Sequence, residues 1–398
     1  MPDLPPLSPR LRATPEPPIP AARAWAARYA GSAGPMIDLT QAVPGYPPHP
    51  DLLARLAEAA GSRAAAGYGP IDGDPALREA LAADAGAFYA APIQAADVAI
   101  TAGCNLAFSM AMAVIAGGGP GREGGGGVIL PVPWYFNHRM ALEMQGIPAI
   151  PLPCRAEDGF LPDLSRIEPL LASGARALVL VSPNNPTGAV TPPETITACA
   201  ALCRRHGAWL VLDETYRDFL PAAATPPHAL FQDPAWRDGL VHLYSFSKAY
   251  CVPGHRVGAI IAGPAFRAEL MKALDTWQIC PARPAQAALA WGVPALAAWR
   301  AANRDLMADR AAAFRAAAGP LPGWRLDSLG AYFAYLRVPE GGPDAMALAE
   351  RLAAERGLLC LPGPFFGPGQ DRHIRLAFAN AGMEAIAEVP ARLQGALP

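Results

Sequence analysis

The sequence predicts an α/β protein: a large domain on a mostly parallel, seven-stranded sheet flanked by helices, joined to a smaller α+β domain. Two patterns carry this expectation. Between about residues 98 and 262, short apolar runs alternate with helical segments. Near-continuous apolar strands separated by helices argue for a parallel sheet covered on both faces. After about residue 290 a long helical stretch replaces the alternation, and strand-like runs follow.

Taken in order, residues 1–20 are proline-rich and read as a flexible arm, and residues 21–30 read as a helix. Pro44 to Pro50 is a proline-rich connection, and Asp51 caps a helix through about Ala60. The seven strands are expected at Val98–Thr101, Val128–Leu130, Ala149–Leu152, Ala177–Val181, Ala208–Leu212, Leu240–Tyr244 and Val257–Ala262. Helices are expected at Asn105–Ala116, Tyr135–Gln145, Leu164–Leu171 and Pro193–His206. Long helices are expected over 294–318, then strands near Trp324, over Tyr332–Leu336 and over His373–Ala377. The glycine-rich stretch Gly117–Gly127 follows a helix and precedes a strand, the wrong order for a phosphate-cradling turn, and reads as a plain flexible connection. These shifts divide the chain into an arm at 1–45 that joins the small domain, a large domain at 46–290 and a small domain at 291–398.

With 398 residues, 52% of them hydrophobic, the chain is long enough to bury a substantial core. The formal net charge of -2 lacks the basic surplus that nucleic acid needs. Seven cysteines are scattered without a C-x-x-C pair, which reads as reduced thiols in a cytoplasmic protein with no metal site. The N-terminus has no basic start followed by an apolar run. No stretch approaches the roughly 18 uninterrupted apolar residues of a membrane helix.

The chemistry concentrates in four segments. Ser245-Phe246-Ser247-Lys248 is followed eight residues later by Arg256. A lysine amine forms an imine with an aldehyde cofactor, and burial or a nearby cation lowers its pKa enough to react. Arg256 offers a planar fork to phosphate, Ser245 and Ser247 can donate to the same group, and Gly103-Cys104-Asn105 would add backbone N–H donors at a helix start. Asp213 ends an apolar run, where open α/β sheets bind ligands, and a carboxylate there suits a protonated pyridine nitrogen. Tyr216 and Asn185 could both donate to a ring oxygen, although Asn185-Pro186-Thr187-Gly188 is also turn chemistry. Glu214 and Asp218 read as solvent-facing or capping residues.

Together Ser182-Pro-Asn-Asn-Pro-Thr-Gly188, Asp213-Glu-Thr-Tyr216, Ser245-Phe-Ser-Lys248 with Arg256, and Arg375 resemble the motif set of the class I/II aminotransferases of pyridoxal-phosphate (PLP) fold type I. The resemblance runs from about residue 37 nearly to the end. It implies PLP as cofactor, with Lys248 as the Schiff-base lysine, Asp213 at the pyridine nitrogen, and Asn185 and Tyr216 at the ring oxygen. It implies Arg256, Ser245 and Ser247 at phosphate and Arg375 at the substrate α-carboxylate. Tyr68 resembles the tyrosine that reaches the neighbouring subunit's phosphate, which implies a homodimer. Tyr135 resembles the aromatic stacked on the pyridine ring, with Trp134 as the competing position.

The implied reaction transfers an amino group between an amino acid and a 2-oxo acid. A relative using the same site for elimination, decarboxylation or cyclisation is the alternative. Family members often carry Gly-x-Pro near the start, whereas this chain has Ala42-Val43-Pro44, so an added methyl could narrow the substrate site. A dicarboxylate substrate would want a second arginine, for which Arg139 and Arg283 are the candidates. Tyr46, Trp134, Trp277, Phe365 and Phe366 could line an apolar pocket, which favours a neutral or aromatic substrate. A PLP-binding regulator would need a DNA-binding domain before the motif set, and the segment before residue 37 is too short for one. No strand is followed by the glycine fingerprint of a nicotinamide enzyme.

Overall fold

A computed structural model of the chain describes residues 5, 7–117 and 126–397. Its centre is one seven-stranded sheet. The strands are β1 (Val98–Thr101), β2 (Val128–Val132), β3 (Ala149–Pro153), β4 (Ala177–Val181), β5 (Trp209–Asp213), β6 (Leu240–Ser245) and β7 (Gly258–Ala262). They lie in the order β1-β7-β6-β5-β4-β2-β3. All neighbouring pairs are parallel except those of β7, which runs against both β6 and β1. β4 shows why: Ala-Leu-Val-Leu-Val is apolar on both faces, and its first four residues are buried. Helices such as Cys104–Ala116, Phe136–Gln145 and Pro193–Arg205 cover the sheet.

The direction of β7 positions the site. Val181 pairs with Asp213 and Asp213 with Leu243, so the carboxyl ends of β4, β5 and β6 lie together. Because β7 is reversed, its first residue, Gly258, sits beside both Ser245 and Thr101. One edge therefore gathers Asp213, Ser245 and the turn into the helix Cys104–Ala116. A side chain at 258 would meet the Cys104 nitrogen at 2.6 Å, so only glycine lets that turn approach.

The C-terminal part holds a four-stranded antiparallel sheet ordered Leu361–Pro362, His373–Ala377, Phe333–Arg337, Arg325–Gly330. Its core includes Phe314, Leu348, Leu352, Ile374, Leu376 and Val389. Ile37–Asp38 pairs in parallel with Leu358–Leu359, which carries the following residues 39–46 toward the site.

Several boundaries differ from expectation for local reasons. The arm is partly helical: Pro9–Ala13 packs on helix Phe136–Gln145, and Pro18–Ala26 packs on helix Ala345–Arg356. His49, not Asp51, caps the helix Pro50–Ala60, its ring nitrogen accepting from the Asp51 N–H. Of the long helices expected over 294–318 one is found there, Ala297–Ala318, and Pro294 lies in the last turn of the preceding helix, Arg283–Ala295. The glycine-rich connection falls from 118 to 125 outside the described residues. Among the described residues no helix is long and apolar enough to cross a membrane.

Gly188 and Gly330 join the two sheets' surroundings at van der Waals limits. A Cβ at Gly188 would lie 2.4 Å from the Gly330 nitrogen, and Gly188 has φ +76°. Gly188→Ala should therefore destabilise the protein by more than about 1–2 kcal/mol. Gly207→Ala is the control, because Gly207 has φ +64° but, among the described residues, nothing within 4 Å of a Cβ. Denaturant unfolding of both variants measures the steric share; equal losses would refute it.

Candidate active site

A cavity at the strand ends is lined by Cys104, Asn105, Tyr135, Asn185, Asp213, Tyr216, Ser245, Ser247, Lys248 and Arg256, with Val181 and Thr215. It holds about 570 Å³ of space, counting its mouth. Ten of the fourteen expected site residues line it, because β1, β4, β5 and β6 all end at this edge; Ala42, Tyr68, Gly103 and Arg375 are not among its lining residues.

Asp213 forms the floor. The carboxylate is buried, receives the Thr215 N–H at 3.0 Å, and lies 3.2 Å from His138 Nε2. Burial works against its charge, but the hydrogen bond and charge of His138, followed by Thr215, outweigh it and hold the carboxyl below its usual range. His138 itself is fixed by stacking on Phe108, with ring centroids 3.9 Å apart. The sequence reading missed His138; its signal is the place three residues after Tyr135, one helical turn along. Cys104 Sγ stands 4.0 Å from the same carboxylate and accepts from the Thr215 hydroxyl at 3.4 Å.

Lys248 sits in the short helix Phe246–Ala249 that β6 feeds directly. Its Nζ donates to the Ala42 carbonyl at 2.8 Å, and the Tyr332 hydroxyl donates to that same oxygen at 3.2 Å. Thus Ala42 meets the lysine through its backbone, and Tyr332 is a neighbour that sequence reasoning missed. Burial, then the nearby Arg256 cation, lowers the Lys248 amine to about 8. A strong sequence signal stood unused: the chain holds two lysines, Lys248 and Lys272. Lys272 is exposed and paired with Glu269.

Gly103 caps the helix Cys104–Ala116 without a side-chain bond, leaving its first-turn N–H groups facing the cavity end. A Cβ at Gly103 would lie 2.3 Å from Arg256 Nη2, so glycine is what admits the guanidinium there. Ser245 and Ser247 line the same end, with Ser245 Oγ accepting the Ser247 N–H at 3.3 Å. Asn185 bridges to the far side: its amide oxygen accepts from Arg375 at 3.2 Å, and its side chain is hydrogen-bonded to Tyr216. Burial, then the charges of Tyr135 and Asp213, pushes the Tyr216 phenol up. Arg375 also donates to the Thr40 carbonyl, and its Nε has no partner among the described residues. Burial brings its pKa to about 10, so it stays a cation at neutral pH.

The positions left open resolve geometrically. Tyr135 lines the cavity, its hydroxyl accepting from Asn137 at 2.9 Å, while Trp134 lines a separate cleft with Phe136 and Phe365. Tyr68 is 83% exposed and does not line the cavity. Arg139 is paired with Glu143, and Arg283 with Asp74 at 3.2 Å. Tyr46 bonds the Lys248 carbonyl, Phe366 is buried beneath Arg375, and Trp277 is exposed. Glu214 and Asp218 do not face solvent. Glu214 is fully buried against Tyr89, His228 and His242, and Asp218 pairs with Arg300 at 2.8 Å.

Residues 34–393 match the family described as aminotransferase class I and II. The chain belongs to this family. An aromatic aminotransferase of Arabidopsis thaliana is 26% identical over 90% of this chain and 89% of its own length. An arginine–pyruvate transaminase of Pseudomonas aeruginosa is 30% identical over 82% of this chain and 81% of its own. The fold is shared with an aspartate aminotransferase of Thermus thermophilus, at TM-score 0.88 and 24% identity, covering 99% of this chain and 100% of the other. The chain is therefore an aminotransferase, of a family that depends on PLP.

The donor set of this aminotransferase fits that cofactor: an anion cradle at Gly103, Ser245, Ser247 and Arg256, a carboxylate at the floor, and a reactive amine between them. In the cofactor-free protein the Lys248 amine should titrate near pH 8. Reductive methylation followed by peptide mapping reads it directly, since Lys272 is the one other lysine. A midpoint near the ordinary 10.5 would refute the burial argument.

Proposed function

We propose that this aminotransferase binds PLP covalently through Lys248 and moves amino groups between a neutral or aromatic L-amino acid and a 2-oxo acid. The observation that carries the reading is the convergence of Lys248, Asp213 and Arg256 on one cavity, with Arg375 one hydrogen bond away through Asn185. Bound PLP supplies an aldehyde for amines and a protonated ring that withdraws electrons from the substrate α-carbon.

The protein's residues supply the rest. Asp213 would keep a proton on the ring nitrogen, and Tyr135 would cover a ring face. Tyr216 and Asn185 would hold the ring oxygen. Arg256, Ser245, Ser247 and the N–H groups of Cys104 and Asn105 would bind the phosphate. Arg375 orients the substrate α-carboxylate by its planar fork, and the Lys248 amine removes the α-proton. Two observations support a neutral or aromatic side chain. Phe333 and Phe366 flank the Arg375 guanidinium at 5.7 and 5.3 Å, and Arg139 and Arg283 are both engaged by carboxylates.

The working unit on this reading is a homodimer in the cytoplasm. Tyr68 and Ile279 are exposed, 83% and 50%, on segments tied together by the Gly69 N–H to Cys280 bond. Arg256, at the phosphate end, is exposed, and a second subunit bearing Tyr68 would cover it. All seven cysteines are free, as suits a reducing compartment. The same reading assigns PLP binding to residues 46–290 and the smaller domain to 1–45 with 291–398.

Borohydride reduction of the PLP-treated protein should fix the label at Lys248 alone, and Lys248→Ala should lose the visible band and lower kcat by at least about 10²–10⁴-fold. Near-normal turnover would end the assignment. Arg375→Lys loses the planar fork and should lower kcat/KM by about 10–100-fold, whatever the amino donor. Mixing the PLP-loaded protein with single amino acids and following band conversion identifies the donor. Conversion by aspartate or glutamate in preference to neutral and aromatic amino acids would refute the side-chain assignment.

A further inference from the structure

Glu214 follows the floor carboxylate directly and belongs to no part of the cavity. Strand alternation turns its side chain away from the side that Asp213 faces. There it is wholly buried, and one oxygen, Oε2, collects every donor: the Tyr89 hydroxyl, His228 Nε2 at 3.2 Å and His242 Nε2 at 3.0 Å. A buried carboxylate with one partner would be strongly unfavourable, and three donors from three separate segments compensate it. Tyr89 ends the helix Pro75–Tyr89, His228 lies in the loop before Leu230, and His242 is on β6. The rings are themselves packed: Tyr89 stacks on His228 at 4.8 Å and meets His242 edge-on at 5.7 Å.

The backbone of Glu214 is fixed as firmly as its side chain. Its N–H donates to the Leu243 carbonyl at 3.0 Å, and its carbonyl accepts the Arg217 N–H at 3.0 Å, starting the turn that carries Tyr216. One residue thus ties together the end of β5, the turn bearing Tyr216, and β6, which continues into Ser245 and Lys248. Reacting groups must be held to within about 0.5 Å of productive geometry, and a displacement of about 1 Å lowers rates on the order of 10²-fold.

We propose that Glu214, clamped by Tyr89, His228 and His242, is a positioning residue that holds Asp213 and Tyr216 in register with Lys248. This rests on the PLP reading of the cavity. Glu214 touches neither cofactor nor substrate. Its effect passes through Asp213 and Tyr216 and would be felt by the cofactor before any substrate arrives.

The test compares wild type, Glu214→Gln, His242→Leu and His242→Gln. Three quantities are measured: PLP affinity by equilibrium titration, the pH midpoint of the visible band, and the melting temperature of the cofactor-free protein. Glu214→Gln and His242→Leu should weaken PLP binding by about 10-fold or more and shift the band midpoint by over about 0.5 pH units, beyond what any loss of folded protein explains. His242→Gln keeps an N–H donor and should stay close to wild type in both. Unchanged affinity and midpoint in the folded variants, or losses that merely follow the melting temperature, would overturn the role. If Glu214→Gln does not fold, Tyr89→Phe removes a single donor and is read by the same criteria. A wild-type protein that takes up no PLP overturns the cofactor reading instead, so the two failures are distinguishable.

Discussion

The burial of the Asp213 carboxylate at the end of β5 is the constraint around which the rest is arranged. A carboxylate with so little solvent keeps its charge only if neighbours replace the lost hydration. Here His138 does so at 3.2 Å from one side and the Thr215 N–H at 3.0 Å from the next turn. Both partners need their own support. His138 rests on Phe108, which is on the helix that begins at Gly103, and Thr215 lies in the segment whose other face is Glu214. The floor charge, the helix start and the strand turn are therefore one mechanical unit.

Charge alternates across the cavity in a way that suits its chemistry. Lys248 lies between a carboxylate and a guanidinium, and its amine responds more to burial and to Arg256 than to Asp213. That balance leaves the amine poised near neutrality, where it can act as nucleophile and base. Arg375 stays charged because its normal pKa is so far above neutrality that burial cannot discharge it. Different side chains under the same low-dielectric conditions thus end in different protonation states.

Much of the site was legible because its residues sit in short motifs at element ends. Asp213 ends an apolar run, Lys248 follows β6, and Arg375 lies mid-strand in His373–Ala377. The missed residues share the opposite property. His138, Tyr332 and Glu214 gain their roles from contacts across 75, 290 and 125 positions of sequence, to Asp213, Ala42 and Tyr89. Glu214 reads from sequence as solvent-facing or capping because an unpaired carboxylate is seldom buried. Only two buried histidines and a tyrosine from elsewhere make it stable inside.

The sequence by itself determined the alternation of apolar strands and helices, and with it a covered, mostly parallel sheet. It also determined the lysine, because Lys248 stands in Ser245-Phe-Ser-Lys after an apolar strand, with Arg256 eight residues on. Only the tertiary structure decided that Tyr135 and not Trp134 faces the cavity. The reversal of β7 was likewise settled there, since strand direction depends on which edges meet and not on the residues within the strand. Periodicity fixes which face of an element is buried, whereas the partner of each buried polar group is set by packing between distant segments.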